Sequence, residues 1–213
     1  MRQGDLFSGW QPASSMASSM ASSNVGDAGG GAGGELPLLA HQLLAWQRLV
    51  ASHQGPLFAG AAMAPQQASL FAAATPSPEA QAAAFDPLAL RPQPLSFWRW
   101  PGAPQGGAAI YLVIDRPPGL EQPLVLYVGE TGRADRRWKG EHDCKRYLTA
   151  YGEALAKAAL EGRPSIRFWL DVPAAIQPRR ALEQALIRRW LPPFNKETRQ
   201  RWATPFTAEL DLE

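Results

Sequence analysis

The sequence predicts an α+β fold, a small three-stranded antiparallel sheet flanked by helices, behind a long low-complexity N-terminal arm. Three observations carry that expectation. Two short apolar runs rich in β-branched residues, AIYLVID (109–115) and LVLYVG (124–129), lie either side of the polar loop RPPGLEQP. A third run, SIRFWLDV (165–172), alternates in character, and helical sequence stands before and after it, giving the order β-β-α-β-α. Residues 8–34 are almost entirely Ser, Ala, Met and Gly, too poor in large apolar groups to offset the entropy of ordering the chain.

Taken in order, residues 1–34 read as a flexible tail. Residues 35–54 read as an amphipathic helix, because Leu36, Leu39, Leu43, Trp46 and Val50 fall at steps of three or four, with Glu35 near the start. That stripe must pack on something, either the following domain or a protein partner. Residues 55–95 return to Ala, Gln and Pro, with breakers at Pro65, Pro76 and Pro78, and read as a linker. The folded domain is expected over 96–202, opened by Phe97, Trp98 and Trp100 as an aromatic clamp, with 203–213 as a tail. Within it, the chain loops from the first strand into the second. Helical sequence then runs over 134–142 and from about Lys145 to Leu160, ended by Gly162 and Pro164. In the third strand Ile166, Phe168 and Leu170 share one face, and Arg167, Trp169 and Asp171 the other. The last helix, 178–190, has Pro178 in its first turn and stops at Pro192 and Pro193.

Charge is divided unevenly. The whole chain is only +2, yet residues 108–202 hold 17 Lys and Arg against 11 acids, while residues 1–107 hold four against five. A basic domain suits a polyanion, whose counterions are released on binding, or is simply a solvated basic surface. The one cysteine, Cys144, rules out an internal disulfide and a multi-cysteine zinc site, as suits a reducing cytoplasm. No apolar run has the length of a membrane span, and the first ten residues lack the apolar core of a secretory signal. The expectation is a cytoplasmic protein.

Several chemistry-bearing residues stand at regular places in this frame. Tyr111 and Tyr127 lie in the first two strands. Gly129 closes the second, and Arg137 follows Tyr127 by ten residues. Glu183 borders the apolar stripe Leu186, Ile187, Trp190 of the last helix, and Asn195 follows two prolines. A carboxylate beside an apolar stripe needs either a salt bridge, with Arg179 or Arg180 within reach, or a cation to ligate. Gly129 allows either a close approach of backbone to phosphate or only a turn.

In this order and spacing, "IY", "YVG", the Arg, the Glu and "FN" resemble the GIY-YIG nuclease superfamily. The spacing in LEQALIRRWLPPFN is similar to the N-terminal nuclease domain of the bacterial excision-repair incision enzyme. The resemblance covers roughly 90 residues. It implies a GIY-YIG-like fold and a structure-specific or nicking DNA endonuclease of repair or recombination, dependent on Mg2+ or Mn2+. It implies catalytic roles for Tyr111, Tyr127, Arg137, Glu183 and Asn195. The tyrosines assist the attacking water, Arg137 stabilises charge on the phosphate, Glu183 is the single protein ligand of the metal, and Asn195 buttresses the site. A phenol is a poor base at neutral pH, so nearby positive charge or a metal-bound hydroxide must help. Gly129, Arg133, Arg136, Lys139 and His142 are candidate DNA contacts. The sequence departs from the family pattern at Ala109, where the first Gly of the family name belongs, and at Glu141, where some members carry His or Lys; His142 is adjacent.

Two further expectations concern partners. Gln3, Asp5, Leu6 and Phe7 in QGDLF resemble the pentapeptide by which bacterial replication and repair proteins dock on the sliding clamp. The protein is expected to be a monomer that binds DNA near the nucleoid. The rival reading is a non-catalytic DNA- or clamp-binding module of the same fold.

Overall fold

The computed structural model describes residues 40–63, 76–97, 106–134 and 143–206. Its elements are α1 (Ala40–Met63), α2 (Pro78–Ala84), a 3-10 turn (Pro87–Ala89), β1 (Ala109–Asp115), β2 (Leu124–Thr131), α3 (Asp143–Lys157), β3 (Ser165–Trp169), α4 (Ile176–Trp190) and a second 3-10 turn (Arg199–Trp202). The sheet is three-stranded and antiparallel throughout, as the sequence predicts, and its strand order is β2-β1-β3.

β1 is the central strand and is buried along its whole length. Its odd positions, Ala109, Tyr111 and Val113, face a core built with α1, α3 and the chain after α4, including Leu43, Trp46, Val50, Tyr147, Tyr151 and Phe194. Its even positions, Ile110, Leu112 and Ile114, face a second core built on Leu182, Leu186, Ile187 and Trp190 of α4 with Phe58 and Phe85. A strand covered on both faces reads as a continuous apolar run, which is why AIYLVID shows little alternation.

β2 is an edge strand carrying an irregularity that matters for the site. Val113 pairs with Tyr127, but Ile114 pairs with Val125, so Leu126 is the extra residue of a bulge. Side chains alternate along a regular strand, and Leu124 and Tyr127 would then fall on opposite faces. The bulge restores both to the face of Tyr111.

The outer edge of β2 is closed residue by residue. Gln54 of α1 accepts from Val125 N at 2.8 Å and donates to Val125 O at 3.0 Å and to Trp190 O at 2.9 Å. Phe194 N donates to Leu126 O at 3.0 Å. Asn195 accepts from Val128 N at 2.9 Å and donates to Val128 O at 2.8 Å. Side-chain amides imitate a neighbouring strand here and leave no row of free groups for another chain to pair with.

The region before the sheet differs from the sequence expectation. The helix expected to end at residue 54 continues through Gly55 and Pro56 to Met63. A proline inside a helix costs about 3 kcal/mol. Packing repays it: Phe58, just beyond, is buried with its ring 4.6 Å from that of Trp190. The linker expected over 55–95 is likewise corrected for 55–63 and 76–95. Ser77 caps α2 by accepting from Ala80 N at 3.2 Å, with Pro78 opening the helix. Arg167 of β3 is buried, and its Nη1 donates to the carbonyls of Pro87, Leu88 and Leu90. Those bonds hold the 87–90 segment on the sheet face that Arg167 shares with Trp169, whose ring stacks on Phe85 at 4.2 Å. Phe97 packs edge-on against Phe168 at 5.0 Å, while Trp98 and Trp100 lie outside the described residues. α3 begins at Asp143 and ends at Lys157, and Leu170 to Val172 fall beyond β3.

Candidate active site

Four of the expected residues gather around the far half of β2. Tyr111 pairs in register with Gly129, and Tyr127 lies two residues before it, so both phenols and the glycine share one face of the sheet. The two rings stack with centroids 5.9 Å apart and planes at 29°. Gly129 has a definite reason to be glycine. A Cβ there would stand 2.5 Å from Tyr111 Cζ and Oη and 2.8 Å from Tyr127 Cε1, so the missing methyl is the space the phenols occupy.

Tyr111 is fully buried and Tyr127 half-buried. Burial raises the Tyr127 pKa far above that of an ordinary phenol, and the neighbouring Tyr111, Cys144 and Glu183 oppose its ionisation further. Tyr127 therefore keeps its proton at neutral pH.

Glu183 reaches the sheet at its edge. α4 packs on the other face from the tyrosines, but Glu183 borders its apolar stripe, and Glu130 N donates to Glu183 Oε1 at 2.9 Å. No hydrogen bond reaches the second oxygen, Oε2, among the described residues. Burial, and next the Glu130 carboxylate, push the Glu183 pKa up to about 7, against the Glu130 N–H and Arg180, which pull it down. The salt bridge from Glu183 to Arg179 or Arg180 is not formed. Both guanidinium groups turn to Glu130 instead, Arg179 Nε at 2.8 Å from Oε2 and Arg180 Nε at 3.3 Å from Oε1. Glu183 is thus a half-buried carboxylate, held through one oxygen, without a cation paired to it among the described residues.

Asn195 is buried, and both ends of its side-chain amide engage the backbone of Val128, between Tyr127 and Gly129. It touches the strand rather than the phenols, so its part is to fix where the tyrosine and glycine stand. Arg133 is exposed, two residues beyond β2, with its N–H donating to Thr131 Oγ1 at 3.0 Å. Arg136, Arg137, Lys139 and His142 lie outside the described residues, as do Gln3, Asp5, Leu6 and Phe7.

Two residues of this neighbourhood were not expected from sequence as members of a site: Glu130, adjacent to Gly129, and Arg179, buried one helical turn before Glu183. The spacing of Arg179 and Glu183 does place both on one side of α4. Nothing in the string YVGET announces that the backbone N–H of its glutamate meets a carboxylate 53 residues later.

A single carboxylate fits a hard divalent ion that keeps most of its waters, such as Mg2+. Among the described residues no three of His, Cys, Asp and Glu are grouped to hold a metal. No helix there is long and apolar enough to cross a membrane. No protein-family model, curated protein or solved structure matches this chain.

Proposed function

We propose that this chain is an endonuclease of the GIY-YIG kind that hydrolyses DNA phosphodiester bonds with Mg2+ or Mn2+, cutting one strand per site, in repair or recombination. The observation that carries the reading is the meeting of Tyr111, Tyr127, Gly129 and Glu183 at one end of β2, from two strands and a helix far apart in sequence. The basic excess of residues 108–202 supports DNA as the polyanion.

In this reading the stacked phenols of Tyr111 and Tyr127 orient a water against phosphorus. Tyr127 works as a hydrogen-bond donor, since its phenol remains protonated. Glu183 Oε2 is the oxygen offered to a divalent cation, which when bound would stabilise charge on the phosphate as a Lewis acid. Arg137 supplies a further positive charge to the same oxygens. Asn195, through Val128, keeps β2 in place beneath the phenols.

A non-catalytic binding module of the same fold is favoured by one observation: Glu183 Oε1 caps the β2 edge, as Gln54 and Asn195 do further along. Incubating the full chain with nicked, flapped, branched and linear duplex DNA, with Mg2+ or with EDTA, separates the two readings. The endonuclease gives metal-dependent cleavage of at least one substrate. Tight binding with no product from any of them would instead establish the module.

A further inference from the structure

Arg179 is hard to account for as ordinary surface charge. Its side chain is 2% exposed, and an unpaired guanidinium in that setting would be strongly unfavourable. It is satisfied on two sides: Nε reaches Glu130 Oε2 at 2.8 Å, and Nη1 donates to Pro173 O at 3.1 Å and Ala174 O at 2.6 Å. The planar fork thus ties the far end of β2 to the turn that opens α4. Four residues along the same helix, Glu183 takes the backbone N–H of that same Glu130. One strand residue is therefore gripped twice by one helix, through its side chain by Arg179 and through its backbone by Glu183.

We propose that Arg179 and Glu130 are a positioning pair for Glu183: their part-buried ion pair fixes strand against helix so that Oε1 is spent on the Glu130 N–H and Oε2 faces an incoming divalent cation. The pair touches neither cation nor DNA and acts only through the carboxylate. This rests on the endonuclease reading, in so far as that reading gives Glu183 a cation to hold. A buried ion pair is weak support for stability alone, because an apolar pair of similar volume does as well or better. A neighbour that orients a ligand, by contrast, commonly changes metal affinity 10- to 100-fold when altered.

The test uses the full chain without DNA, titrated with Mn2+, with binding read from water-proton relaxation and folding from circular dichroism. Glu183→Gln, Arg179→Lys and Glu130→Gln are compared with the unaltered chain. Arg179→Lys keeps the positive charge but loses the fork, so a purely through-space effect of charge would leave its affinity unchanged. Positioning predicts that Arg179→Lys and Glu130→Gln both weaken Mn2+ by about tenfold while the fold persists. Affinity equal to that of the unaltered chain in a folded Arg179→Lys overturns the proposal and leaves the endonuclease reading standing. Should Arg179→Lys fail to fold, unchanged affinity in Glu130→Gln overturns it in the same way. Equal binding by Glu183→Gln and the unaltered chain, or none by either, overturns both the proposal and the reading beneath it.

Discussion

Gly129 matters through a single missing methyl group. The two phenol rings fill the place a Cβ would take, at 2.5 and 2.8 Å, so Gly129→Ala must push Tyr111, Tyr127 or the strand aside. Overpacking of this kind costs about 1–3 kcal/mol. A displacement near 1 Å at a reacting centre slows turnover by about 100-fold. Gly129→Ala should therefore fold with a lowered melting temperature and cleave DNA about 100-fold more slowly; cleavage at the unaltered rate would separate the phenols from the chemistry. A buried acid stands at the end of β1. Asp115 is fully buried, accepting from Tyr151 Oη at 2.7 Å and Arg163 N at 2.5 Å, while Gln47 Nε2 donates to Tyr151 Oη at 2.7 Å. Burial holds the Asp115 pKa above its usual 3.8 despite those bonds. An acid whose pKa is raised by folding stabilises the fold fully below its unfolded pKa and loses that contribution as pH rises through the folded value. Relative to Asp115→Asn, the unaltered chain should lose stability as pH climbs from about 3.8 through the raised pKa. Urea melts across that window read the trend, and a flat difference would mean that Asp115 does not titrate there.

The element that most changes the picture is α1. Its Gln47 reaches the Asp115–Tyr151 pair and its Gln54 closes β2 at Val125, so the helix belongs to the same core as the sheet. Gln54→Leu would leave the Val125 N–H and C=O buried without partners, each costing about 1–3 kcal/mol. Denaturant melts of that variant should show a loss of at least about 1 kcal/mol, and no loss would mean that water or a shifted side chain fills the gap. Why some elements were legible in the sequence and others were not follows from the same contacts. β1 and β2 are apolar runs, and β3 and α4 periodic apolar patterns, strong enough to be read directly, and the stripe Leu43, Trp46, Val50 is buried as its spacing requires. Gly55 and Pro56 are breakers in isolation, and only the burial of Phe58 against Trp190 makes continuing the helix worthwhile. The cap Ser77-Pro78-Glu79 is a helix-start signal. Its Ala-rich continuation buries little, and what anchors the chain beyond it is Arg167, 77 residues past Leu90. The site divides likewise. Tyr111, Tyr127, Gly129 and Glu183 could be named from motif spacing. The Leu126 bulge and the turning of Arg179 from Glu183 to Glu130 depend on three-dimensional pairing that no local pattern encodes.

For the whole molecule, the proposed chemistry and the proposed delivery are separable. On the proposals that this chain is an endonuclease and that Gln3, Asp5, Leu6 and Phe7 dock on the sliding clamp, residues 1–7 would raise its local concentration on DNA without adding DNA contacts. Deleting Met1 to Phe7 should then abolish clamp pull-down and leave cleavage of naked DNA unchanged; retention on the clamp after deletion would assign docking elsewhere. Both functions presuppose that the carboxylate at the β2 edge does more than finish a hydrogen-bonded edge. Glu183→Gln is the variant that asks this most directly, because a glutamine oxygen can still accept from Glu130 N while the negative charge is gone. The measurement is the single-turnover cleavage rate of the full-length variant in Mg2+, beside its melting temperature. The account predicts an unchanged or higher melting temperature, since a buried carboxylate has been neutralised, with cleavage reduced at least about 100-fold. Cleavage at the unaltered rate by a folded Glu183→Gln would contradict it, and would reduce Glu183 to the edge cap that its one hydrogen bond describes.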